Sequence, residues 1–164
     1  MDLLNQIAIG INVYKKKRLI SKTKTTDFFQ SLSIYLKPGD VVCLNGSLGV
    51  GKTFTSGIII NKLTGNKLIS SPTFNLVKTY FVNNKLEIWH CDFYRLNDAS
   101  EIEEIGIFEN INEKIVIIEW PKFDEIFNFN PLIIEIEFGK KINERNIFLK
   151  LSSEWRKRIN FLVN

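Results

Sequence analysis

The segment Gly46-Ser47-Leu48-Gly49-Val50-Gly51-Lys52-Thr53 fits the pattern G-x-x-x-x-G-K-[ST] at every defined position. Its chemistry follows from the residue types. The glycines let the main chain turn several N–H groups toward one anion, the lysine brings an ammonium to the outer phosphates, and the threonine hydroxyl suits Mg²⁺. Such a loop works only between a strand and a helix. Residues 40–45 read as a buried strand, and residues 54–63 as a helix whose N-terminus adds partial positive charge. A glycine-rich turn before an ordinary helix is the plain alternative, and the strand-loop-helix context argues against it. Leu48, Gly49, Val50, Gly51, Lys52 and Thr53 are therefore the phosphate-binding candidates, and the chain binds a nucleoside triphosphate.

A phosphate cradle hydrolyses nothing by itself. A metal must be placed and a water oriented. Mg²⁺ takes one or two protein carboxylates and keeps several waters, so the acids to seek lie at strand ends. Asp92 ends the run Leu86-Glu87-Ile88-Trp89-His90-Cys91, and Glu119 ends Ile115-Val116-Ile117-Ile118. Open α/β sheets bind ligands beyond the carboxyl ends of their strands, which places both acids on the nucleotide side. An ordinary solvated carboxylate is the bland reading of each, and position favours the functional one. Thr73, in a loop stiffened by Pro72, offers a hydroxyl to the metal or the γ-phosphate; on position alone that is a weak signal.

The elements that must hold these residues are readable in outline. Residues 1–20 are apolar and then basic, a strand running into a loop. Helical spacing of Phe28, Leu32 and Tyr35/Leu36 predicts a helix over 27–36, stopped by Lys37-Pro38-Gly39-Asp40. Residues 74–82 and 85–91 read as strands joined by Asn83-Asn84. Ser100-Glu101-Ile102-Glu103 reads as a capping box opening a short helix that Gly106 closes. The continuous run 115–118 is that of a strand covered on both faces. Residues 131–138 and 146–151 read as two more strands, and 153–162 as a terminal helix. Together they predict a single α/β domain over residues 1–164, a mixed β-sheet flanked by helices in the manner of a P-loop NTPase.

Composition bounds the rest. At 164 residues with 45% apolar residues the chain suits one soluble domain, and no apolar run approaches a membrane span. Met1 to Gln6 lack the marks of a secretory leader. Cys43 and Cys91 have no metal-binding spacing and read as buried, reduced thiols of a cytoplasmic protein. His90 is the only histidine, which excludes a histidine cage. The net charge of +4 allows an acidic partner without requiring one, and Lys15-Lys16-Lys17-Arg18 and Arg156-Lys157-Arg158 read as solvated surface.

Four segments in order, Gly46–Thr53, Ser71-Pro72-Thr73-Phe74, His90-Cys91-Asp92-Phe93-Tyr94-Arg95-Leu96 and Glu119-Trp120-Pro121, resemble those of the TsaE (YjeE) family. These are bacterial P-loop ATPases needed to make N6-threonylcarbamoyladenosine in tRNA. The loop is generic; the H-x-D-x-Y-R-L and E-W-P elements are far more specific. The resemblance implies ATP and Mg²⁺ as cofactors, with Thr53, Asp92 and Glu119 at the metal. It further implies a switch-like loop at Thr73, Trp120 shaping the nucleotide site, and Tyr94 and Arg95 serving the site or a partner surface. Buried packing is the favoured role of His90, and also of Trp89. The implied partners are TsaD- and TsaB-like proteins, with tRNA contacted indirectly and no membrane involved. Two positions depart from the family's usual G-D-L-G-A-G-K-T: Ser47 replaces an acid and Val50 replaces alanine. Phosphate binding survives both changes, whereas Ser47 offers no carboxylate for the acid's contact.

Other classes are weaker. A nucleotide or small-molecule kinase clamps two phosphorylated substrates with several arginines, and this chain has only Arg18, Arg95, Arg145, Arg156 and Arg158. The same scarcity gives no arginine finger near the loop and predicts a slow hydrolase when alone. The guanine-selecting N/T-K-x-D element is missing its aspartate at both Asn61-Lys62-Leu63-Thr64 and Asn84-Lys85-Leu86-Glu87. A pure nucleotide-binding module stays open.

Overall fold

The strand interiors are apolar on two faces at once, so the sheet must be covered on both sides. In the computed structural model, which describes residues 11–163, Val42 and Leu44 pack on one face and Val41 and Cys43 on the other. Ile115 and Ile117 alternate in the same way with Val116 and Ile118. That period of two is why these runs look continuously apolar in sequence.

The elements in chain order are β1 (Ile11–Leu19), α1 (Lys22–Ser33), β2 (Val41–Asn45), α2 (Lys52–Thr64), β3 (Val77–Asn83) and β4 (Leu86–Asp92). They continue with α3 (Ser100–Ile105), β5 (Lys114–Glu119), β6 (Leu132–Phe138), β7 (Arg145–Ser152) and α4 (Ser153–Val163), with short 3₁₀ turns at Ile111–Glu113 and Asp124–Phe129. The seven strands form one sheet in the order β1-β7-β6-β2-β5-β4-β3. Its middle, β6-β2-β5-β4, is parallel, and antiparallel partners close it on either side. The mixed α/β architecture expected from the sequence is the one observed.

Helices α1, α2 and α4 cover one face with Phe29, Leu32, Ile59, Ile60, Trp155 and Ile159. Residues from α3 and the connecting segments, among them Phe93, Leu96, Ile102, Ile107 and Ile126, cover the other. Each of these large apolar side chains contributes on the order of 2 kcal/mol by leaving water. No helix among the described residues is long and apolar enough to cross a membrane.

Several boundaries differ from the sequence reading. Helix α1 begins five residues before the predicted start, because the Ser21 side chain accepts from Lys24 N and caps it. Weak helix formers, Thr23, Thr25 and Thr26, hide that start in the sequence. The basic cluster Lys15–Arg18 lies inside β1, paired with β7, and not in a loop; the reading of residues 1–10 lies outside the described residues. Strand β3 starts only at Val77, since Leu76 takes a left-handed conformation at φ 61°. The capping box at Ser100 is corrected as well. Glu101 reaches back to Asn97 N and Asp98 N, while Asp98 accepts from Ser100 N, so the reciprocal pair is Asp98 and Glu101.

Candidate functional site

Strand β2 delivers its last residue, Asn45, directly into the glycine-rich loop, and α2 leaves the loop at Lys52. Gly46, Gly49 and Gly51 all have positive φ, at 138°, 74° and 113°. At Gly46 glycine is obligatory for a second reason: a Cβ there would lie 2.3 Å from the main-chain oxygen of Ile136. The loop therefore rests against β6, while Leu48, Gly49, Gly51 and the first residues of α2 line one cleft of about 390 Å³.

Side-chain parity decides which acids enter that cleft. On β5, Ile115, Ile117 and Glu119 face the α2 side; on β4, Ile88, His90 and Asp92 do the same. The parallel register sets Asp92 opposite Glu119 and His90 opposite Ile117, so both acids stand at neighbouring strand tips. Both are buried, Asp92 at 3% exposure and Glu119 at 2%.

Glu119 Oε2 accepts from Thr53 Oγ1 at 2.8 Å, and Oε1 accepts from Ser56 Oγ at 2.9 Å. His90 Nε2 lies 2.7 Å from the same Oε1. Asp92 Oδ2 accepts from the Thr73 hydroxyl at 2.5 Å, and Oδ1 accepts from Tyr94 N at 2.9 Å. The Ser71 hydroxyl lies 2.5 Å from that of Thr73, so the 71–73 loop is tied to the strand tip.

Lys52 donates to the carbonyls of Gly46 at 2.8 Å and Ser47 at 2.9 Å, and its ammonium lies 3.6 Å from the centre of the Trp120 ring. Burial lowers its pKa below that of an ordinary lysine, while the charges of Glu119 and Asp92 pull it back up. Trp120 takes a left-handed φ of 58°, and Trp120 N donates to Leu44 O at 3.1 Å, which turns the indole under the lysine. Tyr94 packs on that indole with ring centres 5.0 Å apart.

Of the residues named from the sequence, Leu48, Gly49, Gly51, Lys52, Thr53, Thr73, Asp92, Tyr94, Arg95, Glu119 and Trp120 line this one cleft. Val50 does not; its side chain is buried in the core below, and its carbonyl accepts from Arg145 Nε at 2.6 Å. Trp89 is half-buried, donating to Glu87 at 2.8 Å with the Lys114 ammonium 3.6 Å over its ring.

Two arginines stand near the loop. Arg145 holds the loop's main chain from behind, and Arg95 lines the cleft with its guanidinium 4.4 Å from the Phe74 ring. Arg145 comes from a segment remote in sequence, so composition could not place it, whereas Arg95 belongs to the segment whose resemblance implied a site role. Sequence reasoning also missed Ser56, although its spacing of three from Thr53 puts both hydroxyls on one helix face. It missed Lys122 too, which donates to the carbonyls of Tyr94 and Leu96 and fastens the segment after β4. Cys43 and Cys91 are buried free thiols, and burial pushes both well above the usual thiol range.

Oxygen donors dominate the cleft, as a hard cation requires: the Thr53 hydroxyl and the Glu119 and Asp92 carboxylates. No cluster of three or more histidine, cysteine, aspartate or glutamate side chains suited to a metal occurs among the described residues.

Residues 19–147 match a family model described as "Threonylcarbamoyl adenosine biosynthesis protein TsaE". A protein of Rickettsia bellii named "tRNA threonylcarbamoyladenosine biosynthesis protein TsaE" is 42% identical over 116 residues, covering 70% of this chain and 80% of its own length. Its namesake in Rickettsia prowazekii is 40% identical over 129 residues, covering 78% of this chain and 87% of its own. Among solved structures, a crystal structure of Bacillus subtilis YdiB superposes with a TM-score of 0.67, covering 92% of this chain and 94% of that one. At 22% identity the last is a likeness of fold.

Proposed function

This chain belongs to the TsaE family, and from that premise we propose that it is a Mg²⁺-dependent ATPase serving N6-threonylcarbamoyladenosine formation in tRNA. The single observation that carries the reading is the pair of buried acids, Asp92 and Glu119, on neighbouring parallel strand tips facing the Lys52–Thr53 end of the loop. The whole chain acts as one domain, and its work is done on a TsaD–TsaB complex in the cytoplasm, with tRNA met through those partners.

Each side chain has a task in this account. The loop amides and Lys52 bind the phosphates, for which the lysine must leave the Gly46 and Ser47 carbonyls. Thr53 and Glu119, already hydrogen-bonded to each other, would hold Mg²⁺ together with Asp92. When bound, the ion neutralises charge on the outer phosphates. Asp92 and Thr73 couple the 71–73 loop to the strand tip, so that loop follows the γ-phosphate. The nucleoside is directed into a second cavity of about 270 Å³ that shares Gly49, Gly51 and Phe54 with the first and is lined by Lys22, Thr25 and Arg145. Phe54, half exposed there, suits stacking on a base.

Phosphate release from the isolated chain, measured with and without the partner pair, tests the reading. A slow rate alone and a marked rise with both partners is the expected result; equal rates remove the partner from the account. Lys52→Ala should weaken ATP binding by about 100-fold, as loss of a charge-assisted phosphate contact does. Retained micromolar affinity in that variant, measured by calorimetry, would contradict the phosphate role. Competition of ATP against GTP checks the base preference.

A further inference from the structure

We propose that His90 is a positioning residue that locks the Glu119 carboxylate so that one oxygen faces the metal side of the cleft. The inference rests on the reading of Glu119 as a metal-side acid. His90 is fully buried, and its Nε2 lies 2.7 Å from Glu119 Oε1. A carboxylate oxygen only accepts, so Nε2 carries the hydrogen and donates to Oε1. Nδ1 has no hydrogen-bond partner among the described residues, although it is buried. A histidine kept for packing alone is therefore a poor solution: leucine would occupy the same core without an unpaired nitrogen. What the imidazole adds is direction.

Ser56 Oγ meets the same Oε1 at 2.9 Å from α2, on the other side of the carboxylate. With Oε1 gripped from the strand by His90 and from the helix by Ser56, the carboxylate plane cannot turn. Oε2 is then held on the Thr53 side, 2.8 Å from that hydroxyl. The strand register makes this possible, since His90 stands two residues before Asp92 on the same face as Glu119 of the adjacent strand.

The test measures Mn²⁺ binding to the ADP complex by electron paramagnetic resonance, alongside Mg²⁺-dependent turnover, ADP affinity in EDTA and thermal melting. His90→Leu should weaken Mn²⁺ binding about tenfold, the usual scale for loss of a group that orients a metal ligand. ADP affinity without metal should stay within about twofold. His90→Gln, whose amide nitrogen is as many bonds from Cα as Nε2, should restore Mn²⁺ binding to within about threefold. Mn²⁺ affinity unchanged in His90→Leu overturns the proposal, and so does a His90→Gln variant that binds Mn²⁺ no better than His90→Leu. Should His90→Leu not fold, Ser56→Ala carries the test, with Mn²⁺ binding weakened several-fold expected and unchanged binding overturning it. Glu119→Gln separates the two levels: unaltered Mn²⁺ affinity there removes the metal-side role of Glu119 itself. Lost affinity there beside a silent His90→Leu removes only the positioning role.

Discussion

Two buried acids sit at opposite ends of the parallel strands and are held in opposite ways. Asp40, at the entry to β2, receives a guanidinium: Arg158 donates to Oδ1 at 2.8 Å and to Oδ2 at 2.6 Å, and Lys37 N adds a third bond at 2.8 Å. The same guanidinium donates to Tyr35 O, fastening α4 to the end of α1. Glu119, at the exit of β5, is held by two hydroxyls and an imidazole, while the neighbouring Lys52 gives its ammonium to loop carbonyls. Asp40 thus has its counter-charge built in, as a structural acid should. Glu119 has orientation without a full counter-charge, which leaves it suited to an external cation.

The sharpest way to break this contrast is to neutralise each acid in turn. Glu119→Gln should cut ATP turnover by about 100-fold with folding stability unchanged or raised, since it removes a buried charge while nearly keeping its shape. Asp40→Asn should do the reverse, with turnover per folded molecule kept and stability down by about 3 kcal/mol, because Arg158 then keeps only the exposed Glu154 carboxylate, 3.9 Å away. Turnover and urea melts of both variants decide it; similar profiles would erase the distinction.

Gly46→Ala probes the loop that joins the two ends. The added methyl group meets the Ile136 carbonyl and the φ of 138° suits no other residue, so a loss of about 2 kcal/mol is expected together with nucleotide binding. Melting and calorimetry measure both.

A smaller effect sharpens the comparison at a pair of which only the arginine is exposed. Arg18 donates to both oxygens of Glu144, at 2.5 and 3.1 Å, and holds that carboxyl below the usual carboxylate range. A depressed folded-state pKa adds stability above the unfolded value, and that stability disappears as pH falls through the folded value. Melting temperatures between about pH 6 and pH 3 should therefore drop less steeply in Arg18→Ala than in the unaltered chain.

The glycine-rich loop between strand and helix was legible because its requirements are local: glycines for positive φ, then lysine and threonine at the first turn of a helix. Asp92 and Glu119 were legible because each ends an apolar run, and strand ends in such sheets share a rim. The acids' partners were not. His90 and Ser56 acquire meaning only from the β4–β5 register and from the helix laid over it. Arg145, the first residue of β7, reaches the loop from 95 residues further along the chain, through the β6–β7 pairing. At Ser100 a local rule misled, because two overlapping capping patterns compete and the one beginning at Asp98 prevails.

The strained turn at Trp120 carries a practical consequence. Its indole lies beneath the Lys52 ammonium, which on the proposed function moves when a triphosphate arrives, whereas Trp155 is sealed in the core and donates to Asn130 O. Emission from this one ring should change in colour and intensity as the ammonium withdraws, so the protein comes with its own optical gauge of loading, readable without any attached dye.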